Sequence, residues 1–304
     1  MRAVVIVNPI AGPGRRKTLD TCAALARSVL ATHGYTAHVV VTESPTDASR
    51  FARDAIEFGA NLVVAWGGDG TINGAGSALT GTSLPLGIVP GGSGNGLARD
   101  LGLPRDPARA LAVAATGHER AIDAGDLQGS LFFNIAGIGL DAEIAARIAQ
   151  PGARRGLAGY VIATFQELRR YEPEVYTIRI PGDDSRGPAV SGETTIEKRA
   201  LIVALANSRQ YGNGAQIAPR AELDDGAIDV VVLEARPFSA FVTRLPAFFR
   251  GTLEEAPDLL MRRATQLSIS GRRPIRFHVD GEPRSGPETL TLRVYPRALR
   301  VRVQ

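Results

Sequence analysis

A strand-helix rhythm runs to about Gly125 and then stops, and nothing else in this 304-residue chain limits its fold as much. Short apolar runs at 3–7, 38–41, 62–65 and 86–89 are β-branched and bounded by Gly, Pro or polar residues, the pattern of buried strands. Between them apolar residues recur at helical spacing, as Leu19, Ala23, Ala26, Val29 and Leu30 and again as Phe51, Ala55 and Phe58, with Thr46 and Asp47 available as a cap. This alternation predicts an α/β domain over 1–125, a parallel sheet with right-handed crossovers and helices on both faces. Beyond it, strands at 130–135, 175–180, 200–206, 228–233, 266–270, 276–280, 289–294 and 299–303, separated by Gly, Pro and Asp turns, predict a mainly antiparallel β-sandwich domain over 126–304. Helical spacing interrupts that half at 156–168 and 239–249, and the polar stretch 181–198 reads as a hairpin or loop.

Several classes are excluded early. Cys22 is the single cysteine, so no internal disulfide forms, and His33, His38, His118 and His278 supply no zinc-ligand spacing. No apolar run reaches the roughly 18 residues of a membrane-spanning helix, and the chain enters a strand at once with no secretory leader, so the expected location is cytoplasmic. The net charge of +4 is carried almost wholly by arginine, since Lys17 and Lys198 are the only lysines. Arginine suits phosphate and lipid headgroups, but these are scattered and not interleaved with aromatics, so no nucleic-acid partner is expected.

The chemistry is concentrated in two glycine-rich turns. Gly67-Gly68-Asp69-Gly70-Thr71-Ile72-Asn73 follows the third strand and opens a helix, and Pro90-Gly91-Gly92-Ser93-Gly94-Asn95-Gly96 does the same after the fourth. Glycines there let the backbone approach an anion, and the helix N-terminus adds partial positive charge, so both turns are expected to cradle the phosphates of a nucleotide at the carboxyl edge of the sheet. No P-loop sequence occurs. Gly137-Ile138-Gly139-Leu140-Asp141-Ala142 matches a dinucleotide fingerprint but lacks the acidic residue about 20 positions later, so it is not expected to bind NAD.

These turns, with Val7-Asn8-Pro9-Ile10-Ala11-Gly12, Phe133 to Asp141, Ala218 to Gly226 and Val279-Asp280-Gly281-Glu282-Pro283, resemble the diacylglycerol kinase catalytic family, which includes bacterial diacylglycerol kinases and eukaryotic sphingosine and ceramide kinases. The resemblance spans nearly the whole chain. It implies two domains with the active site in the cleft between them, ATP on the first and the lipid mostly on the second. It also implies that Asn8, Thr42, Gly67, Gly68, Asp69, Gly70, Thr71, Ile72, Asn73 and Ser93 contact ATP, beside Gly92, Gly94 and Asn95 of the second turn. Asp280 and Glu282 fall on the family's catalytic acidic motif, and Asp225, with the carbonyls of Glu222 and Ala227, on a Mg²⁺ site. Ser93-Gly94-Asn95-Gly96 is closer to the sphingosine and ceramide kinases than to many bacterial members.

Phosphoryl transfer needs positioning, aimed donors and a carboxylate to receive the hydroxyl proton. Asp280 and Glu282, two apart at a strand end, share a face unless Gly281 redirects one, although Asp-Gly-Glu-Pro also suits a plain surface turn. Asp69 is a second candidate base or metal partner, and Asp224-Asp225-Gly226 by itself reads as a turn. Two amphipathic stripes are candidates for a membrane-facing gate: Leu157 to Leu168 behind Arg154 and Arg155, and Phe238, Phe241, Leu245, Phe248 and Phe249 with Arg244 and Arg250. The expected activity is an ATP- and Mg²⁺-dependent lipid kinase acting on a primary hydroxyl of diacylglycerol, a sphingoid base or a related lipid. It would work as a monomer or homodimer, transiently at the inner face of the membrane. The alternatives are a kinase of a soluble acceptor such as NAD and a non-catalytic nucleotide-binding regulator.

Overall fold

A computed structural model describes residues 1–11, 19–150, 152–153, 156–182, 193–212, 214–236, 250, 252 and 258–304. Gly12, Arg154, Arg155, most of the stretch 181–198 and the expected helix over 239–249 with its flanking Phe238 lie outside them, as does the Leu157 side chain. The chain divides into two compact units, one of Met1–Ile122 with Arg297–Gln304, the other of Asp123–Pro296.

The first unit alternates β1 (Arg2–Val7), α1 (Leu19–Thr32), β2 (Thr36–Val41), α2 (Asp47–Glu57), β3 (Leu62–Gly67), α3 (Asp69–Leu79), β4 (Leu86–Pro90), α4 (Gly96–Asp100) and α5 (Pro107–Thr116), and then enters β5 (His118–Leu127). Strands β2, β1, β3 and β4 pair in that order, all parallel. Ala3, Val5 and Val7 face one side of the sheet and pack with Ala26, Leu30, Leu111 and Ala114 of α1 and α5. Val4 and Ile6 alternate to the other side, where α2 and α3 lie together. Thr46 caps nothing with its side chain. Asp47 instead holds the turn before the helix, accepting from the Glu43 and Ser44 amides and pairing with Arg50, and these contacts hold its carboxyl well below the usual range.

The second unit contains β6 (Ser130–Phe132), β7 (Ile135–Gly139), α6 (Leu140–Ala149), α7 (Gly156–Leu168), β8 (Glu174–Ile180), β9 (Thr194–Ala206), the short β10 (Gln210–Gly212) and β11 (Ala215–Gln216), β12 (Ile228–Glu234), β13 (Leu259–Ala264), β14 (Gln266–Ser270), β15 (Arg276–Val279) and β16 (Glu282–Ser285). It also holds most of β17 (Thr289–Val303). Pairing is antiparallel along β16-β15-β7-β9-β8-β14-β17, and β12 and β13 add a branch from β9. Strand β9 serves two cores by alternation. Val203 and Leu205 enter the sandwich core with Phe132, Ile138 and Phe277, while Ile202 and Ala204 pack with Leu140 and Ile144 of α6 and Ala163 of α7.

The chain leaves the first unit at Ile122, three residues before Gly125, and the boundary differs more at the other end. The two strands expected at 289–294 and 299–303 are one strand, β17, because Pro296 and the left-handed Arg297 (φ 50°) do not break it. Its final stretch, with Leu299, Val301 and Val303 buried, returns to the first unit and pairs parallel to β4, Val301 opposite Leu86. The strand expected at 130–135 is two, β6 and β7, interrupted at Phe133 and Asn134.

Candidate active site

The parallel strands of the first unit bring the predicted nucleotide residues to one edge. Asn8 follows β1, Thr42 follows β2, and the glycine turns follow β3 and β4. The Asn8 amide donates from its backbone to the Trp66 carbonyl and from Nδ2 to Thr71 Oγ1, tying β1 to the first turn. Gly67 is required by that tie, since a Cβ there would stand 2.4 Å from Thr71 Oγ1. Helix α3 begins at Asp69 with an extended Gly68 as N-cap, a residue that has no side chain to cap it. A helix end without a capping side chain keeps N–H donors for an anion, and this end fits a phosphate group. Ile72 is buried in the core, so only its backbone can face a ligand, and the Asn73 side chain accepts from Ser77 one turn on.

The second turn is built differently. Both oxygens of the Asp69 carboxylate accept backbone amides there, Asn95 N and Gly96 N, each at 2.9 Å. Asp69 therefore caps α4 from outside its own segment, and these two amides of the second turn are already taken. Asn95, left-handed at φ 50°, spends its own side chain on Gly92, accepting from the amide and donating to the carbonyl. The turns cross backbone on backbone: a Cβ on Gly92 would lie 2.6 Å from Gly68 Cα, and one on Gly94 2.7 Å from Asp69 Oδ2. Ser93 is exposed at the tip. Arg99, which sequence reading passed over, donates from Nε to the Gly94 carbonyl, and burial and Arg105 pull its guanidinium pKa down.

In the second unit the acidic motif forms a two-residue hairpin turn. Val279 pairs with Glu282, and Asp280 (φ 49°) and Gly281 (φ 85°) between them are both left-handed, the tight turn that Asp-Gly favours. The two carboxylates part company there. Asp280 accepts three backbone amides, Phe133 and Ile135 at 3.0 Å and Asn134 at 2.9 Å, which explains the interruption between β6 and β7. That loop is braced from behind, where buried Asn207 donates to the carbonyls of Asp123 and Phe133 and Ser208 donates to the Asn134 side chain. Glu282 is exposed, and its carboxylate has no hydrogen-bond or ion-pair partner among the described residues. Asp280 is thus committed to the 133–135 loop, whereas Glu282 is not.

Of the metal set implied for the second unit, the one side-chain ligand, the Asp225 carboxylate, is already engaged within the protein. Asp225 accepts the Ala227 amide and pairs closely with Arg263, whose guanidinium also reaches Asp229 at 3.7 Å, while Glu222 is exposed. Arg263 thus supplies the positive charge that a divalent cation would bring, and among the described residues no group of three or more His, Cys, Asp or Glu side chains is placed to hold a metal. A second pair went unnoticed in sequence: His278 Nε2 lies 2.6 Å from Asp141 Oδ2, both residues buried. Asp141 belonged to the apparent dinucleotide fingerprint, and its partner lies 137 positions away, so no local signal joins them.

Residues 2–127 match the diacylglycerol kinase catalytic domain, and residues 134–303 match the YegS C-terminal NAD kinase beta sandwich-like domain. The lipid kinase YegS of Escherichia coli strain K12 is 30% identical over 282 residues, covering 90% of this chain and 89% of that one. The protein named "Probable lipid kinase YegS-like" of Pectobacterium atrosepticum is 33% identical over 276 residues, covering 89% and 87%. The crystal structure of a diacylglycerol kinase from Bacillus anthracis shares the fold, with a TM-score of 0.75 at 21% identity over 100% of this chain and 97% of that chain. With each half matched along its length by its own domain and full-length relatives above the sheet topology, the chain belongs to the YegS-like lipid kinases of the diacylglycerol kinase catalytic family.

Proposed function

We propose that the protein transfers the γ-phosphoryl group of ATP, carried as its magnesium complex, to a primary hydroxyl of diacylglycerol, a sphingoid base or a related lipid. The uncapped start of α3 carries this reading, because it offers backbone donors to phosphate on the side of the sheet where Asn8, Thr42 and Thr71 converge. Asp69 positions the second turn. In the second unit Asp280 anchors the acidic turn and Glu282 is the base. The lipid hydroxyl oxygen bonds to the γ-phosphorus as the bond to the β–γ bridging oxygen breaks, ADP leaves, and the hydroxyl proton passes to Glu282. Magnesium, when bound with ATP, supplies charge neutralisation on the phosphates; Asp225 and Arg263 take no part in it.

Contact with a lipid surface is supported by α7, which exposes Val161, Ile162 and Phe165 beside exposed Arg169 and Arg170. In mixed micelles, labelled ATP should phosphorylate one lipid of a panel spanning diacylglycerols, sphingoid bases and ceramide, with NAD as the soluble acceptor. Glu282→Gln should lower kcat by about 100-fold or more with ATP affinity little changed. Label appearing on NAD and on no lipid, or a Glu282→Gln enzyme turning over at the wild-type rate, would overturn the assignment.

A further inference from the structure

The buried Asp141–His278 pair has no part in the chemistry above, yet it touches the acidic turn. Asp141 lies in the first turn of α6, where a helix N-terminus favours negative charge. On the far edge of the ring, His278 Nδ1 accepts the amide of Gly281 at 3.2 Å. Gly281 immediately precedes Glu282. Space for the pair exists because position 137, opposite His278 across the β15–β7 ladder, is glycine; a Cβ there would stand 2.0 Å from Asp141 Oδ2 and 2.4 Å from His278 Nε2.

An imidazole nitrogen that accepts a hydrogen bond carries no proton. The contact with Gly281 therefore leaves Nε2 as the protonated nitrogen, donating to Asp141. A second proton can enter only at Nδ1, where it meets the Gly281 N–H head on and ends that hydrogen bond. Around the pair, Tyr160 of α7 and Tyr211 of β10 have hydroxyls pushed well up by burial and by the charge of Asp141, so both stay neutral. Glu143 of α6 is engaged with Arg276, and β16 presents Pro283 opposite the histidine. Burial would push His278 down, but the Asp141 carboxylate, as charge and as hydrogen-bond partner, and then Asp280, outweigh it and hold the imidazole above its ordinary value.

We propose that His278 is a positioning residue for the acidic turn: neutral, it holds Gly281 and with it the pose of Glu282, and doubly protonated, it releases the turn. The catalytic consequence rests on Glu282 being the base; the latch itself does not.

The test follows the histidine ring nitrogens and the Gly281 amide by NMR across pH, beside a pH profile of lipid phosphorylation. The ring and the amide should move with one midpoint, and kcat should fall on the acid side at that midpoint while KM for ATP stays level. Asp141→Asn keeps the shape and an acceptor but not the charge, and should lower both midpoints by about one to three pH units. His278→Asn places an amide oxygen where Nδ1 sits and does not titrate, so the step should vanish from the kcat profile. A Gly281 amide indifferent to the titration of His278, or a step that survives in His278→Asn, overturns the latch. If His278→Asn does not fold, the Asp141→Asn midpoints decide. Ring and amide titrating together without turnover following would instead leave the latch standing and reject Glu282 as base.

Discussion

The two glycine-rich turns look alike in sequence and do opposite things with a helix end. After β3 the start of α3 is left without a capping side chain, whereas after β4 the first amides of α4 are filled by the Asp69 carboxylate reaching over from the first turn. One acidic residue thus divides the labour: Asp69 sits at the start of the open helix but spends its charge on the other. Glycine content alone does not mark a phosphate site. What marks it is which amides remain unspent after the protein's own acceptors have been counted.

The comparison can be broken most severely at Gly92. A side chain there meets the Gly68 backbone, which cannot swing aside, so Gly92→Val should cost about 3 kcal/mol of stability and lower ATP affinity about 100-fold, read by calorimetry on the folded fraction. Affinity retained in a folded variant would show that the crossing of the turns is not what shapes the site.

Asp69→Ala comes next. It strands the Asn95 and Gly96 amides at a cost of about 1–3 kcal/mol, and it should also make the second turn resemble the first. Sulfate should then raise the melting temperature of the variant more than that of the wild type; equal shifts would mean that the α4 end was never an anion site in waiting.

Gly68→Ala is milder, because the backbone is extended and the new Cβ would meet Gly92 Cα at 3.3 Å, a contact relieved by a few tenths of an ångström. A fall in ATP affinity of about tenfold with stability within about 1 kcal/mol is expected, and a larger loss of stability than for Gly92→Val would reverse the assigned order. The smallest effect belongs to Asn95→Gly, which loses two hydrogen bonds to Gly92 but gains an unstrained left-handed residue, for a net change of about 1 kcal/mol in a denaturant titration.

Much of the fold could be read from the chain because buried parallel strands are nearly unbroken β-branched runs, as at Val4 to Val7 and Leu62 to Ala65. Elements without that signature escaped. Strand β5 opens with His118-Glu119-Arg120, β13 carries Arg262 and Arg263, and α6 follows directly on the Gly137-Ile138-Gly139 end of a strand. The candidate site was legible as residue types but not as roles. Asp280 and Glu282 differ only in what lies near them, and the amides that occupy Asp280 come from residues 145 to 147 positions earlier. Asp225 read as a turn by its own residues and as a cation loop only by resemblance, and its pairing with Arg263, 38 positions away, leaves no local signal.

Residues 297–304 complete the first unit beside β4, although more than 170 residues of the second unit are synthesised in between. On the ribosome, β4 must therefore wait with one backbone edge open, and an apolar strand in that condition is a template for pairing with a neighbouring nascent chain. The first unit gains its full sheet only once β17 has emerged, so it is completed after the strands of the second unit although it contains residues made before them. Joining residue 304 to residue 1 through a short linker and opening the chain within the second unit would let that sheet close much earlier in synthesis.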